Sequence, residues 1–171
     1  MGNRHNLCRC STNRWCYLFN SLDCFTREWM AYVLARDTRR LHAIDCLLNA
    51  TEGSDLSSLV LRSDNGSQFS SSAFMESVKA LGISQEFMAN STSEQQGHIE
   101  SLHSTLKTEY IWPMEFGNYE AVAEYMLQEF SDYNNAGLHF AIGYSTLKEF
   151  YMKCKEQLMQ EVVTSNLRSR K

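Results

Sequence analysis

Two carboxylates stand in segments whose residue types and spacing could hold a divalent cation. Asp64 lies in Leu-Arg-Ser-Asp-Asn-Gly-Ser-Gln-Phe (61–69), Glu100 in Gly-His-Ile-Glu-Ser-Leu-His-Ser-Thr-Leu-Lys-Thr-Glu (97–109), and 35 residues separate them. Hard cations such as Mg²⁺ take carboxylate oxygens and keep several waters, so few protein ligands suffice. A short apolar run ends at Asp64, and Asn65-Gly66 then turns the chain away. A carboxylate at a strand end is held rigidly yet stays open to solvent. Glu100 falls in a stretch of helical periodicity and can reach the same cation from a facing element. Ser104 and Lys107 follow it by four and seven positions, one and two helical turns on, so both share its side of the helix. His103 is one step off and could flank the site. Singly, each feature has a plainer explanation: Ser-Asp-Asn-Gly is a common turn, and a lone Glu on an amphipathic helix usually only solvates it.

Those side chains need a scaffold, and the chain reads as α/β. Residues 14–23 and 28–35 are aromatic and β-branched enough to be strands, joined by the hairpin-length link Cys24-Phe25-Thr26-Arg27. Residues 38–50 carry Leu41, Ile44, Leu47 and Leu48 at helical spacing, with Thr38 as a candidate N-cap. Residues 58–63 form a short strand, 71–81 a helix with Phe74, Val78 and Leu81 on one face, and 84–88 another strand. Helices follow at 97–110, 118–134 and 145–161, with Pro113 between two of them. The polar tail 162–171 ends Arg168-Ser169-Arg170-Lys171 and is expected to fray. This order suggests a mixed sheet with helices on both faces.

A chain of 171 residues with 43% hydrophobic content is one globular domain with room for a core. It has no apolar run long enough to span a membrane and no apolar stretch of a secretory signal at its start, so no membrane association is expected. The cysteines (Cys8, Cys10, Cys16, Cys24, Cys46 and Cys154) match no disulfide framework, and reduced thiols in a cytoplasm are expected. His5, Cys8, Cys10 and Cys16 invite a zinc reading, but their spacing fits no standard zinc module. A net charge of −4 argues against a dedicated DNA-binding module, which is usually basic. It leaves room for a catalytic core whose DNA-reading part lies elsewhere.

Taken together, Ser-Asp-Asn-Gly-Ser-Gln-Phe (63–69), Leu-Gly-Ile (81–83), Ile-Glu-Ser (99–101) and Leu-Lys-Thr-Glu (106–109) resemble the last two carboxylates, with their flanks, of the D,D(35)E triad of the integrase catalytic core. The resemblance is strongest to transposases of bacterial insertion sequences and runs from about Asn13 to Tyr151. Tyr133-Asn134-Asn135 and Gly143-Tyr144-Ser145-Thr146 also resemble the family's C-terminal stretch. There Gly137-Leu138-His139 departs from the usual Arg-Pro-His, and Thr146-Leu147 from the usual Thr-Pro. The resemblance implies a ribonuclease H-like fold with a mixed five-stranded sheet flanked by helices. It implies catalytic and metal-holding roles for Asp64 and Glu100 with Mg²⁺ or Mn²⁺. It further implies DNA contacts from Lys107, Ser104, His103 and Asn65, with transposon ends and target DNA as partners and a homo-oligomer or full-length transposase as a protein partner.

One element of the pattern is missing. Family members carry their first catalytic Asp on the first strand, and counting back from Asp23 by the family spacing lands on Arg4, in the acid-free stretch Asn3-Arg4-His5-Asn6. Residues 1–12 read poorly as a strand and are expected to be a degenerate segment, with a first strand still possible there, as in a truncated or frame-shifted remnant. Residues 13–161 would then be the core and 162–171 a flexible basic tail. The resemblance thus implies a transposase core fragment with weakened metal binding and impaired strand transfer. Two alternatives stand beside it: an active enzyme recruiting Asp23 or another acid, and a non-catalytic ribonuclease H-like module that binds DNA or a partner transposase.

Overall fold

The computed structural model describes residues 3–9, 15–87, 100–111, 113–137 and 142–168, without the side chains of 3–9, 109–110, 158 and 161–168. Positions 97–99 of an expected helix, Leu138-His139, Cys10 of the cysteine cluster and residues 169–171 of the expected tail lie outside them.

The core is organised around strand β2 (Trp15–Leu22), which pairs antiparallel with β1 (Asn3–Arg9) on one side and β3 (Trp29–Ala35) on the other. Period-two alternation sends Cys16, Leu18 and Leu22 into one apolar cluster and Phe19 into another. Strand β1 is the first strand that the sequence left open within 1–12, in a segment of poor strand propensity. The pairing partner, not local propensity, decides it, and the register slips between Asn6 and Cys8. The link from β2 to β3 is closed by Asp23, whose Oδ1 accepts from the backbone N–H of Phe25 at 2.8 Å and of Thr26 at 2.7 Å.

On one face of β2 and β3 lies helix α1 (Arg40–Thr51). Thr38 is not its cap: Arg39 takes that place with no side-chain bond, while Asp37 Oδ1 accepts from the Arg39 N–H at 3.1 Å and pairs with His42 Nε2 at 2.8 Å. Its buried side is Leu47 among the small residues Ala43, Cys46 and Ala50, which let the helix sit close to the sheet, whereas Leu41 and Leu48 are exposed. Beyond it, β4 (Val60–Ser63) and β5 (Ser84–Phe87) pair in parallel, a geometry that requires a crossover, supplied here by α2 (Ser72–Ala80). Ser71 caps α2 by accepting from the Phe74 N–H.

The other face is covered by α3, described over 100–105 and continued by a π-helical stretch Leu106–Ile111, and by α4 (Tyr119–Asn135). Helix α4 is tied to β3 by side chains. Asn134 accepts from the Trp29 N–H at 3.0 Å and donates to the Trp29 carbonyl at 2.9 Å, Tyr119 Oη donates to Leu34 O at 2.6 Å, and Tyr133 Oη to Arg27 O at 3.2 Å. Helix α5 (Leu147–Arg168) runs past the end expected near 161. The result is an α/β fold with helices on both faces. Among the described residues the pairings form a three-stranded sheet β1-β2-β3 and a two-stranded sheet β4-β5, not one five-stranded ladder. Among the described residues no helix is long and apolar enough to cross a membrane.

Candidate active site

Strand β4 delivers Asp64. Leu61 and Ser63 point into the core, at 2% and 0% exposure, and Asp64 follows as a half-buried residue at the strand's end. The exit is fixed by Gln85 of the neighbouring strand, whose Nε2 donates to Ser63 Oγ at 3.1 Å and to Phe69 O at 3.2 Å. One amide thus ties the last residue of β4 to the loop that follows Asp64. Within that loop Asp64 Oδ1 accepts from the Gly66 N–H at 2.8 Å, an Asx turn that orients the carboxyl group. The Gly66 carbonyl accepts from the N–H groups of Phe69 and Ser70 at 2.9 and 3.1 Å. Asn65 is exposed beside the carboxylate. Next to the loop, Thr38, Arg39, Arg40, Leu41, Ser67, Gln68 and Ser71 bound a groove of about 310 Å³.

Helix α3 delivers Glu100. Leu102 and Leu106 are buried at 3% and 1% against Cys16, Leu18 and Leu22 of β2, which turns Glu100, Ser101 and Ser104 toward solvent, with Lys107 half-buried on the same side. The alignment of Glu100, Ser104 and Lys107 expected from helical spacing is therefore present, although the helix widens to π winding from Leu106 and so carries Lys107 on a wider turn. His103 is a correction. It is 4% exposed, and its Nε2 donates to Asn20 Oδ1 at 2.9 Å, so it faces the core and is not placed to flank DNA. Sequence reasoning missed this pair. Its trace was there: Asn20 interrupts the apolar run Tyr17-Leu18-Phe19, and His103 sits between Leu102 and Leu106.

The two carboxylates thus come from the end of β4 and from α3, whose buried residues lie in different apolar clusters. On the α1 side of β2 a cavity of about 10 Å³ is lined by Asn20, which bonds the helix of Glu100, and by Ser63, which precedes Asp64. Among the described residues no group of three or more His, Cys, Asp or Glu side chains is arranged to hold a metal ion. Asp23 Oδ1 closes the hairpin, and Asp23 lines a cleft with Val60 and Arg62 of β4.

A family model described as Integrase core domain matches residues 7–93, just over half of the chain. A second model with the same description matches residues 81–146, and Arg4 lies outside both spans. The chain is 28% identical over 136 residues to the transposase InsD for insertion element IS2D of Escherichia coli (strain K12), a match that covers 76% of this chain and 45% of that one. It is 25% identical over 136 residues to the transposase for insertion sequence element IS904 of Lactococcus lactis, covering 78% of this chain and 54% of that one. Against the curated relatives it matches, the chain spans 45–62% of their length. In three dimensions it is similar to the HTLV-2 integrase catalytic core domain solved in complex with magnesium, with a TM-score of 0.63 at 15% identity over 87% of this chain and 92% of that one. That likeness places the α/β architecture in the ribonuclease H-like class.

Proposed function

Because the chain belongs to the integrase core domain family, we propose that it is the catalytic core of a transposase-type DNA strand-transfer enzyme, with Asp64 and Glu100 as two of its metal-holding carboxylates. The observation that carries this reading is the placement of Asp64 at the exit of β4, oriented by an Asx turn, and of Glu100 on the open side of a helix. Neither carboxylate is used up: among the described residues Glu100 has no ion pair, and the Asp64 bond to Gly66 engages one oxygen of two. Such hard oxygen donors suit Mg²⁺ or Mn²⁺. Bound there, a metal would activate the attacking oxygen and stabilise the leaving one in phosphodiester chemistry. Around it, Lys107, Ser104 and Asn65 take DNA phosphates and so position the substrate. The partners are transposon ends and target DNA, with a homo-oligomer or a full-length transposase completing the assembly. The reaction belongs in the cytoplasm, where the free thiols of Cys16, Cys24, Cys46 and Cys154 stay reduced. We read the two sheets as one five-stranded layer joined between β1 and β4. Leu61 of β4 and Phe19 of β2 sharing one core cluster supports this.

Metal binding is weak in this reading because Arg4 occupies the position the family gives to its first Asp. A guanidinium is always charged and pairs readily with carboxylates, so at that position it opposes a cation both as competitor and as like charge. The same residue favours a second reading, a non-catalytic module that keeps the fold and binds DNA or a partner transposase. Calorimetric titration with Mn²⁺ separates the two. Asp64→Asn and Glu100→Gln should each weaken binding, and Arg4→Asp should strengthen it by ~10-fold or more, the scale of a lost or gained ligand neighbour. Binding heats indifferent to both carboxamide substitutions would remove the metal site. No gain from Arg4→Asp would move the missing acid along β1. His5→Asp is then the variant to make, since His5 is level with Leu18, whose cluster includes α3.

A further inference from the structure

We propose that the buried hydrogen bond between Asn20 and His103 is a positioning device: it fixes the height of α3 on β2 and thereby sets the Glu100 carboxylate relative to Asp64. The inference rests on the metal-holding roles assigned to those two acids and deepens it by naming residues that touch neither metal nor DNA.

The surroundings of the pair are apolar. Cys16, Leu18, Leu22, Leu102 and Leu106 form that part of the core, and within it Asn20 is fully buried and His103 nearly so. Two apolar side chains of similar size would fill the space without desolvating anything. A polar pair must first lose its water, so its net worth for stability is small even when well bonded. What it adds is direction. Apolar contacts tolerate one side chain sliding along another, whereas a bond of 2.9 Å between Nε2 and Oδ1 does not. A single buried polar residue sets register in the same way between paired helices elsewhere.

The pair stands where such a constraint matters. His103 follows Glu100 by three residues, a rise of about 4.5 Å along the helix, so fixing one fixes the other. Just beyond, α3 changes to π winding at Leu106, and regular helix packing does not define its height from that end. Asn20 also lines the cavity that Ser63 lines, and Ser63 is locked by Gln85 immediately before Asp64. Asn20 thus bonds α3 through its side chain and shares a cavity lining with the residue before Asp64.

The test compares Asn20→Val, His103→Phe and the double variant with the unmodified chain, in thermal unfolding, Mn²⁺ calorimetry and crystal structures superposed on β2. Each single variant strands a buried polar group and should melt lower, and the double should regain the lost stability. The double should nevertheless show α3 displaced by roughly 1 Å, a scale at which active sites lose most of their efficiency. Its Mn²⁺ affinity should stay ~10-fold down. His103→Gln, which retains an N–H donor toward Asn20, should recover affinity. A double variant with unmoved α3 and unchanged Mn²⁺ affinity would show that the pair is only core packing. If the unmodified chain binds no Mn²⁺, the metal assignment falls, and the position of α3 in the double variant still decides this proposal.

Discussion

Gly66 shows how a missing Cβ shapes the Asp64 end of β4. A Cβ built there would lie 2.7 Å from Asp64 Oδ1 and 2.6 Å from Gln68 Nε2. Gly66→Ala must therefore push the carboxyl group off the backbone N–H it accepts from. Losing that charged hydrogen bond should cost about 1–2 kcal/mol in urea unfolding and weaken Mn²⁺ binding. A variant with the same unfolding midpoint and the same isotherm would show that the Asx turn orients nothing. Glu129 gives a prediction of opposite sign. Burial raises its carboxyl above the ordinary range, a hydrogen bond with Tyr125 opposes this, and the charge of Asp132 adds to it. The folded chain therefore holds this proton to higher pH than the unfolded chain does. Just above the ordinary carboxyl range the unfolded state binds fewer protons, and stability falls as pH rises through that window. Glu129→Gln should raise the melting temperature at pH 7 and change little near pH 3, where the carboxyl is neutral in both states. A variant that melts lower at pH 7 would show the charged form to be favoured in place.

At the scale of elements, α4 and β3 act as one unit. The Asn134 side-chain amide pairs with both backbone groups of Trp29, as a neighbouring strand would, so this end of β3 is satisfied by a helix. Asn134→Ala leaves a part-buried N–H and C=O without partners and should cost about 2 kcal/mol by chemical unfolding. A loss no larger than that of Asn135→Ala, whose amide bonds only within its own helix, would show that the clamp is incidental. The Tyr-Asn pair at 133–134 was visible in the sequence as a motif, but its target was not, because Trp29 lies 105 residues away. The same limit explains α1. Helical spacing located the helix, but which leucines face inward depends on how closely it meets the sheet. Small residues won that face, leaving Leu41 and Leu48 outside.

For the whole molecule the question is which cations remain for DNA. Arg36 is occupied: it pairs with Glu120 at 2.6 Å and lies over the Tyr119 ring at 4.4 Å. Arg39 pairs with Asp37 at 3.3 Å but is 76% exposed, and exposed pairs of this kind are weak enough for phosphate to compete. Arg39 and Arg40 border the groove beside the Asp64 loop. With a net charge of −4, DNA binding should be weak, indifferent to sequence and steeply reduced by salt. Lys107→Ala should lower affinity alike on different duplexes and reduce the salt slope by about 1, and Arg36→Ala should matter less. An unchanged slope for Lys107→Ala would mean that this lysine only solvates its helix.

Several features were determined by sequence alone because their causes are local. Aromatic and β-branched content marked β2 and β3, apolar periodicity marked α2, turn chemistry marked the chain reversal after Asp64, and helical spacing put Glu100, Ser104 and Lys107 on one side. Tertiary structure decided what depends on partners distant in the chain. Residues of poor strand propensity became β1 because β2 offered a ladder to pair with. Asp23 Oδ1 closes its own hairpin. His103, one helical step from a solvent-facing position, was drawn into the core because Asn20, 83 residues away, presents an acceptor there. A side chain's spacing fixes the direction in which it leaves its own helix; whether water or another buried polar group meets it is settled only when the sheet and the helix come together.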